Sequence, residues 1–321
     1  MQPQPVIAVL AGNEPVHGLA ALEQVAEVRI TGAAGLPEAL AGADILYLWD
    51  FFADGVRQAW PAADSLQWIH VPAAGVDKLL FPELVASDVV LTNARGIFDR
   101  AMAEHVLGAV LHFAKDFGRA AAQQQQRQWQ RYPTTDLAGA SVLVAGTGSI
   151  GRCTAALLTA VGMRVQGLGR TARTGDPDFG TVHASEDFAP VAGNFDYVVL
   201  AAPLTPATRK MLGRDVLAAM KPTAVLVNVG RGALADEAAL EDALRAGKLA
   251  GAALDVFETE PLPGHSGLWE LPNVLVTPHL SGDANKQLPA LAQQFADNLD
   301  AWKAGRPLMN VVDKNLGFVA S

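Results

Sequence analysis

The chain's 321 residues suffice for two domains at roughly 150 residues each, and with 50% of them hydrophobic and 18% charged a large core is available and disorder is excluded. A formal net charge of −9, from 24 Lys+Arg against 33 Asp+Glu with no basic block, excludes a nucleic-acid partner, and the single cysteine, Cys153, excludes an internal disulfide framework or a CxxC metal clip. No apolar run approaches the ~18 residues of a membrane span, and the first residues lack the basic and apolar regions of a secretory signal, so a soluble, cytoplasmic protein without a membrane partner is expected.

Short β-rich apolar runs alternate with Ala/Leu-rich stretches, the rhythm of βαβ units and parallel sheets. In the first hundred residues, strands are predicted at 6–10, 27–30, 45–49, 67–71 and 89–92, with helical stretches between most of them. These suit a small doubly wound sheet. Residues 101–115 then carry Met102, Val106, Leu107, Val110, Leu111 and Ala114 at helical spacing, apolar around more of the circumference than one covering face needs. That helix is expected to be buried between domains or subunits. The polar run at 123–126 reads as solvated helix or loop, and Pro133-Thr134-Thr135-Asp136 as a break.

A second βα series follows, with strands predicted at 142–145, 164–168, 197–201, 224–229, 251–256 and 274–277. The last stretch, 286–305, is helical in pattern through Leu291, Phe295, Leu299 and Trp302. The tail after Pro307 is too short for a third domain, so this helix should return to the first one. The expected division is 1–100 plus 286–321 as a discontinuous substrate domain and 101–285 as a dinucleotide-binding domain.

Gly146-Thr147-Gly148-Ser149-Ile150-Gly151 is GxGxxG, preceded by an apolar strand and opening an amphipathic helix. In that context the first glycine allows the tight turn, the second lets backbone approach a pyrophosphate, and the third allows close helix–sheet packing. The helix N-terminus supplies peptide N–H groups to the phosphates. Cys153, just inside the helix, reads as a structural thiol. At the end of the next strand, where an NAD site places an acid for the ribose 2′-hydroxyl, the chain offers Gly169-Arg170-Thr171-Ala172-Arg173. Guanidinium groups suit a 2′-phosphate, so NADP(H) is expected as the preferred cofactor, with NAD(H) as the alternative.

Arg231, Glu260 and His279 each fall just after a strand of the second series. Ligands of an open parallel sheet bind outside the carboxyl ends of its strands, so the three can converge beside a nicotinamide. Reduction of a 2-oxo acid needs this combination. Arg231 would clamp the carboxylate and polarise the carbonyl, His279 would donate a proton to the developing alkoxide, and Glu260 would hold the imidazole in place.

Asn228-Val229-Gly230-Arg231-Gly232, Asp255-Val256-Phe257-Glu258-Thr259-Glu260-Pro261-Leu262-Pro263 and Thr277-Pro278-His279 resemble the three signature segments of the D-isomer-specific 2-hydroxyacid dehydrogenases. Ala73-Ala74-Gly75-Val76-Asp77 resembles that family's substrate loop, Ala103-Glu104-His105 lies in a helix similar to its dimerisation helix, and Ala202-Pro203-Leu204-Thr205-Pro206 resembles its cofactor-contacting turn. The resemblance covers nearly the whole chain. It implies two doubly wound α/β domains, a flavodoxin-like substrate domain and a Rossmann cofactor domain, with a cleft between them. It implies catalysis by Arg231, Glu260 and His279, and substrate binding by Ala74, Gly75, Arg231 and Trp49. The implied cofactor residues are Gly146, Gly148, Ser149, Ile150, Gly151, Arg170, Thr171, Arg173, Ala202, Pro203, Val229, Gly230, Asp255, His279 and Gly282. A homodimer through the 101–118 region is implied as well.

Within the family, the Gly-Arg-Thr-Ala-Arg segment departs from NAD-type members, which carry Asp at the position of Gly169, and resembles NADPH-dependent glyoxylate/hydroxypyruvate reductases. The absence of a following regulatory domain counts against the longer phosphoglycerate dehydrogenases. Trp49 is similar to a residue of the bacterial glyoxylate/hydroxypyruvate reductase subgroup, whereas Phe51 and Phe52 are read either as core residues or as an apolar wall for a larger acid such as phenylpyruvate. Trp129 is a candidate cap for a partner subunit's pocket. His105 and His112 lack a third ligand and His70 precedes the substrate loop, so all three read as structural rather than metal-binding or catalytic. A dinucleotide-sensing binding protein of the same fold is the reading from a different class.

Overall fold

The computed structural model describes residues 4–12, 15–50, 55–285 and 287–320. The chain divides into two compact units, Met1–Phe98 with Ala284–Ser321, and Asp99–Asp283.

In the first unit, strands β1 (Val6–Leu10), β2 (Glu27–Thr31), β3 (Ile45–Tyr47), β4 (Trp68–Val71) and β5 (Val90–Asn93) pair in parallel in the order β2-β1-β3-β4-β5. This is the flavodoxin-like order. Every residue of β3 and β4 is buried, as expected for interior strands covered on both faces. The helix Gln287–Lys303 adds Leu291, Phe295 and Leu299 to the core of this unit, with the Phe295 ring stacked on Tyr47 at 3.9 Å and 4°. Beyond it, Val312 N–H donates to Leu91 O (2.8 Å), and the Lys314 ammonium donates to the carbonyls of Leu84 (3.1 Å), Ser87 and Val89 (3.0 Å). The C-terminal residues are thereby fastened to the strands of the N-terminal hundred.

The second unit is built on an eight-stranded sheet. Its strands are β6 (Ser141–Ala145), β7 (Arg164–Gly169), β8 (Arg173–Asp176), β9 (Gly180–Ala184), β10 (Tyr197–Leu200), β11 (Val225–Asn228), β12 (Gly251–Leu254) and β13 (Val274–Val276). The order is β13-β12-β11-β10-β6-β7-β9-β8, parallel except for the antiparallel β8–β9 pair. Apart from β8 and β13, this is the doubly wound Rossmann order, whose strand sequence reverses between β6 and β10. β6, β10, β11 and β12 are buried throughout, which explains their apolar runs, broken only by Ser141 at the start of β6 and Asn228 at the end of β11.

Besides strand ends such as those of β3 and β12, which stop two residues short of the expected 49 and 256, two elements differ from the sequence reading. The helix predicted from 101 begins at Asp99 and runs to Lys115. The β8–β9 hairpin was not anticipated at all. Of β8 only Asp176 is buried, so the strand has no apolar alternation to reveal it. Among the described residues no helix is long and apolar enough to cross a membrane.

Candidate active site

The glycine turn after β6 has the geometry that its residues dictate. Gly146 has φ of 114°, and a Cβ there would stand 2.5 Å from Ala201 O, so only glycine fits. A Cβ on Gly151 would meet Gly146 O at 1.8 Å, which fixes the close packing of helix Ser149–Ala160 on the turn. By contrast, a Cβ on Gly148 would have nothing within 4 Å, and Gly148 is the extended N-cap of that helix. Open space beside exposed peptide N–H groups at a helix N-terminus fits a dinucleotide pyrophosphate. Of the flanking residues, Ser149 Oγ bonds Asp99 Oδ1 (3.1 Å), and Ile150 is half-buried.

β7 ends at Gly169, where a Cβ would lie 3.2 Å from Thr147 Oγ1. Arg170, Thr171 and Arg173 beyond it are exposed, and Arg173 is ion-paired with Asp176 at 2.8 Å. In the turn after β10, Ala202 is buried and Pro203 exposed. Gly230 packs on that turn, because a Cβ there would stand 3.1 Å from Ala202 O.

The turn after β11 is folded by a residue to which the sequence reading gave no role. Asn228 is 1% exposed; its Oδ1 accepts from Gly230 N (3.1 Å), and its Nδ2 donates to Arg231 O (3.0 Å). The loop that carries Arg231 is thus tied to the strand end through both functions of one buried amide, with Val229 buried between them. Gly232 follows, and a Cβ on it would lie 1.9 Å from Phe257 C. The backbone that leads to Glu260 therefore rests directly on the Arg231 turn.

Glu260 is oriented at both oxygens. Oε1 accepts from Phe257 N (2.9 Å), and Oε2 lies 2.7 Å from His279 Nδ1. Burial alone would raise its pKa, but the bonds from His279 and Phe257, with the nearby positive charges of His279 and Arg231, hold the carboxyl below its ordinary value. Glu260 and His279 side chains are both about one-third exposed (33% and 32%), so the pair is reachable from solvent.

His279 has a left-handed backbone, φ 52°, and its N–H donates to Asp255 O (2.8 Å). Asp255 is 1% exposed, and both its oxygens serve the same loop: Oδ1 accepts from Thr277 Oγ1 (2.5 Å) and Leu280 N (3.0 Å), and Oδ2 from Ser281 N (2.9 Å). Burial opposes the charge, yet these donors lower the pKa below the ordinary value. Asp255 is therefore the brace of the His279 loop, a role invisible in spacing alone. Gly282, next in the loop, is half-buried. His105 Nε2 lies 3.4 Å from Thr277 Oγ1. Among the described residues no group of three or more His, Cys, Asp or Glu could hold a metal.

In the first unit, Trp49 follows β3 and the 73–75 loop follows β4, both at carboxyl ends of strands. Trp49 is 6% exposed and packs against His17 (5.9 Å) and edge-on to Tyr47 (5.7 Å). Asn93 Nδ2 donates to Ala74 O (2.6 Å) and Ala94 N to Ala73 O (3.0 Å), which holds the loop, while Ala74 and Gly75 remain half-buried. Phe51 and Phe52 lie outside the described residues. Trp129 is 99% exposed. His70 is wholly buried in the aromatic cluster under Phe295, with Nδ1 2.8 Å from Thr92 Oγ1.

Residues 107–281 match the family model for the NAD binding domain of D-isomer specific 2-hydroxyacid dehydrogenases. The chain belongs to this family. It is an oxidoreductase of the 2-hydroxyacid dehydrogenase type. A glycerate dehydrogenase of Methylorubrum extorquens is 32% identical over 86% of this chain and 87% of its own length. A D-isomer specific 2-hydroxyacid dehydrogenase of Xanthobacter autotrophicus, solved with NADPH and MES, shares 31% identity at a TM-score of 0.84, over 98% of this chain and 100% of that one. An NADPH-dependent glyoxylate/hydroxypyruvate reductase of Sinorhizobium meliloti, solved with NADP and sulfate, shares 28% identity, also at 0.84, over 97% of this chain and 99% of that one.

Proposed function

We propose that the protein reduces a small 2-oxo acid, of the glyoxylate or hydroxypyruvate type, to the D-2-hydroxy acid with NADPH. The observation that carries this reading is the 2.7 Å contact between His279 Nδ1 and Glu260 Oε2, on a loop that rests on the Arg231 turn. When bound, a nicotinamide dinucleotide supplies the hydride for the carbonyl carbon. Glu260 engages Nδ1, and His279 gives a proton from its other ring nitrogen, Nε2, to the carbonyl oxygen, so that C=O becomes CH–OH. Glu260, held ionised, keeps the ring in register and balances its positive charge. Arg231 binds the substrate carboxylate and polarises the carbonyl.

NADPH is favoured by Gly169-Arg170-Thr171-Ala172-Arg173, which has no acid to repel a 2′-phosphate. The two NADPH- or NADP-bound relatives support the same choice. A homodimer through the helix Asp99–Lys115 and a cytoplasmic location complete the proposal.

The test is oxidation of NADPH, with NADH alongside, in the presence of glyoxylate, hydroxypyruvate, pyruvate and phenylpyruvate. Rapid NADPH-linked turnover of the first two is expected. Preference for phenylpyruvate would overturn the small-acid assignment, and dinucleotide binding without turnover of any acid would replace the enzyme by a sensor.

A further inference from the structure

Arg152 stands one residue past the glycine fingerprint, and the function proposed above does not use it. Its guanidinium grips Asp176 with two prongs, Nη1 to Oδ1 and Nη2 to Oδ2, each 3.0 Å, and Nη1 also reaches Asp178. The Arg152 Cζ lies 5.5 Å from the centre of the Phe179 ring. The Asp176 side chain is 3% exposed. Its Oδ1 also accepts from the backbone N–H groups of Asp178 (3.1 Å) and Phe179 (3.3 Å), and its Oδ2 accepts from Arg173 Nε (3.0 Å) with Arg173 Nη2 at 2.8 Å. The Arg152 bonds, with further donors, keep this carboxyl well below the usual carboxylate range although burial opposes them.

Asp176 is the one buried residue of β8, so the strand is anchored by this joint and not by an apolar side chain of its own. The anchored hairpin carries Arg173. Asp176 takes the Nε–Nη2 edge of that guanidinium, and the Nη1 end remains for a phosphate. The charges of Arg152 and Arg173 balance those of Asp176 and Asp178, so the buried carboxylate does not confront an incoming anion uncompensated.

We propose that Arg152 and Asp176 are positioning residues for dinucleotide choice: the two-pronged pair fixes the hairpin and, through it, aims Arg173 at the 2′-phosphate. This inference rests on the NADPH reading above. Loss of Arg152 would free the hairpin and let Arg173 swing away from the 2′-phosphate, which weakens a 2′-phosphorylated ligand.

The experiment measures Kd by protein fluorescence for NADPH, NADH, adenosine 2′,5′-bisphosphate and adenosine 5′-monophosphate. Wild type, Arg152→Ala, Arg173→Ala, the double variant and Arg152→Lys are compared, each with its circular dichroism spectrum. The wild type should prefer the 2′-phosphorylated member of each pair. Arg152→Ala and Arg173→Ala should each lower that preference about tenfold, the effect of losing a hydrogen bond to a charged group. The double variant should lose no more than Arg173→Ala alone, because Arg152 acts through Arg173. Arg152→Lys should not restore the preference, since an ammonium cannot grip both carboxylate oxygens as a fork. If Arg152→Ala does not fold, Arg152→Lys decides in the same way. A retained preference in a folded Arg152 variant, or additive losses in the double variant, would overturn the inference and leave the NADPH reading standing. A wild type without preference would overturn the NADPH reading itself, before any variant is compared.

Discussion

His279 and Glu260 meet at 2.7 Å across nineteen residues of sequence, and each is held by a backbone bond of its own, Phe257 N to Glu260 and His279 N to Asp255 O. The pair is therefore pre-set by the loops that carry it. His279→Ala should lower kcat on the order of 10²–10⁴-fold while leaving the dissociation constant for NADPH nearly as it was. Glu260→Gln should lower kcat less, because a neutral amide still accepts at one oxygen. Unchanged turnover in His279→Ala would remove it as the proton donor.

The pH dependence of that pair has a definite sign. The folded-state pKa of Glu260 lies below its ordinary value, so the stabilisation from its charged form is present above the ordinary pKa and is lost as pH falls through the lowered one. Activity of the wild type should therefore persist into mildly acidic solution, whereas Glu260→Gln should lack this carboxylate-linked acid limb. Identical acid limbs in kcat/KM–pH profiles of the two proteins would refute the assignment.

Position 169 is crowded as well as uncharged, with Thr147 Oγ1 3.2 Å from where a Cβ would stand. Gly169→Asp should weaken NADPH at least about tenfold through repulsion of the 2′-phosphate, with little gain for NADH. Adding Thr147→Ala should make room for the carboxylate and improve NADH binding. Equal affinities for NADPH in wild type and Gly169→Asp, measured by titration, would place the 2′-phosphate elsewhere.

Asn228 ties the Arg231 loop to the end of β11 with two bonds. Asn228→Ala should raise KM for the oxo acid and cost about 1–3 kcal/mol of stability, since it leaves buried polar groups unpaired. Denaturant titration and steady-state kinetics measure the two effects. A loss of stability with unaltered KM would make Asn228 a purely structural residue.

His70 supplies an independent acid sensitivity in the first unit. Burial pushes its pKa down to about 3, so the native state binds the proton less readily than the unfolded chain. Stability is complete above the unfolded value near 6.5 and is lost progressively as pH falls toward 3, by on the order of 5 kcal/mol at the limit. His70→Phe should flatten this part of the urea-unfolding free energy against pH. An unchanged slope between pH 6.5 and pH 3 would assign the acid sensitivity to other groups.

The doubly wound sheets were legible because interior parallel strands such as β3, β10 and β12 bury both faces and spell out unbroken apolar runs. The positions of Arg231, Glu260 and His279 were legible because each follows a strand end. The elements that support them were not. Asp255 and Asn228 act through bonds to backbone atoms of loops, and no spacing rule marks a side chain that folds back on its own turn. β8 was missed because an exposed strand anchored by one carboxylate has the composition of a loop. Arg152 and Asp176 lie 24 positions apart, and only the hairpin brings them together.

The strand order separates two kinds of change. Residues at the rim formed by β7, β8 and β9 flank the fingerprint on one side, whereas Arg231, Glu260 and His279 follow β11, β12 and β13 toward the opposite rim. Under the proposed function, substitutions on the first rim would retune the ribose end of a dinucleotide without disturbing the bonds that brace the reacting end. On that reading, coenzyme preference and reaction chemistry would be free to drift independently during evolution, and an engineer could graft one without redesigning the other.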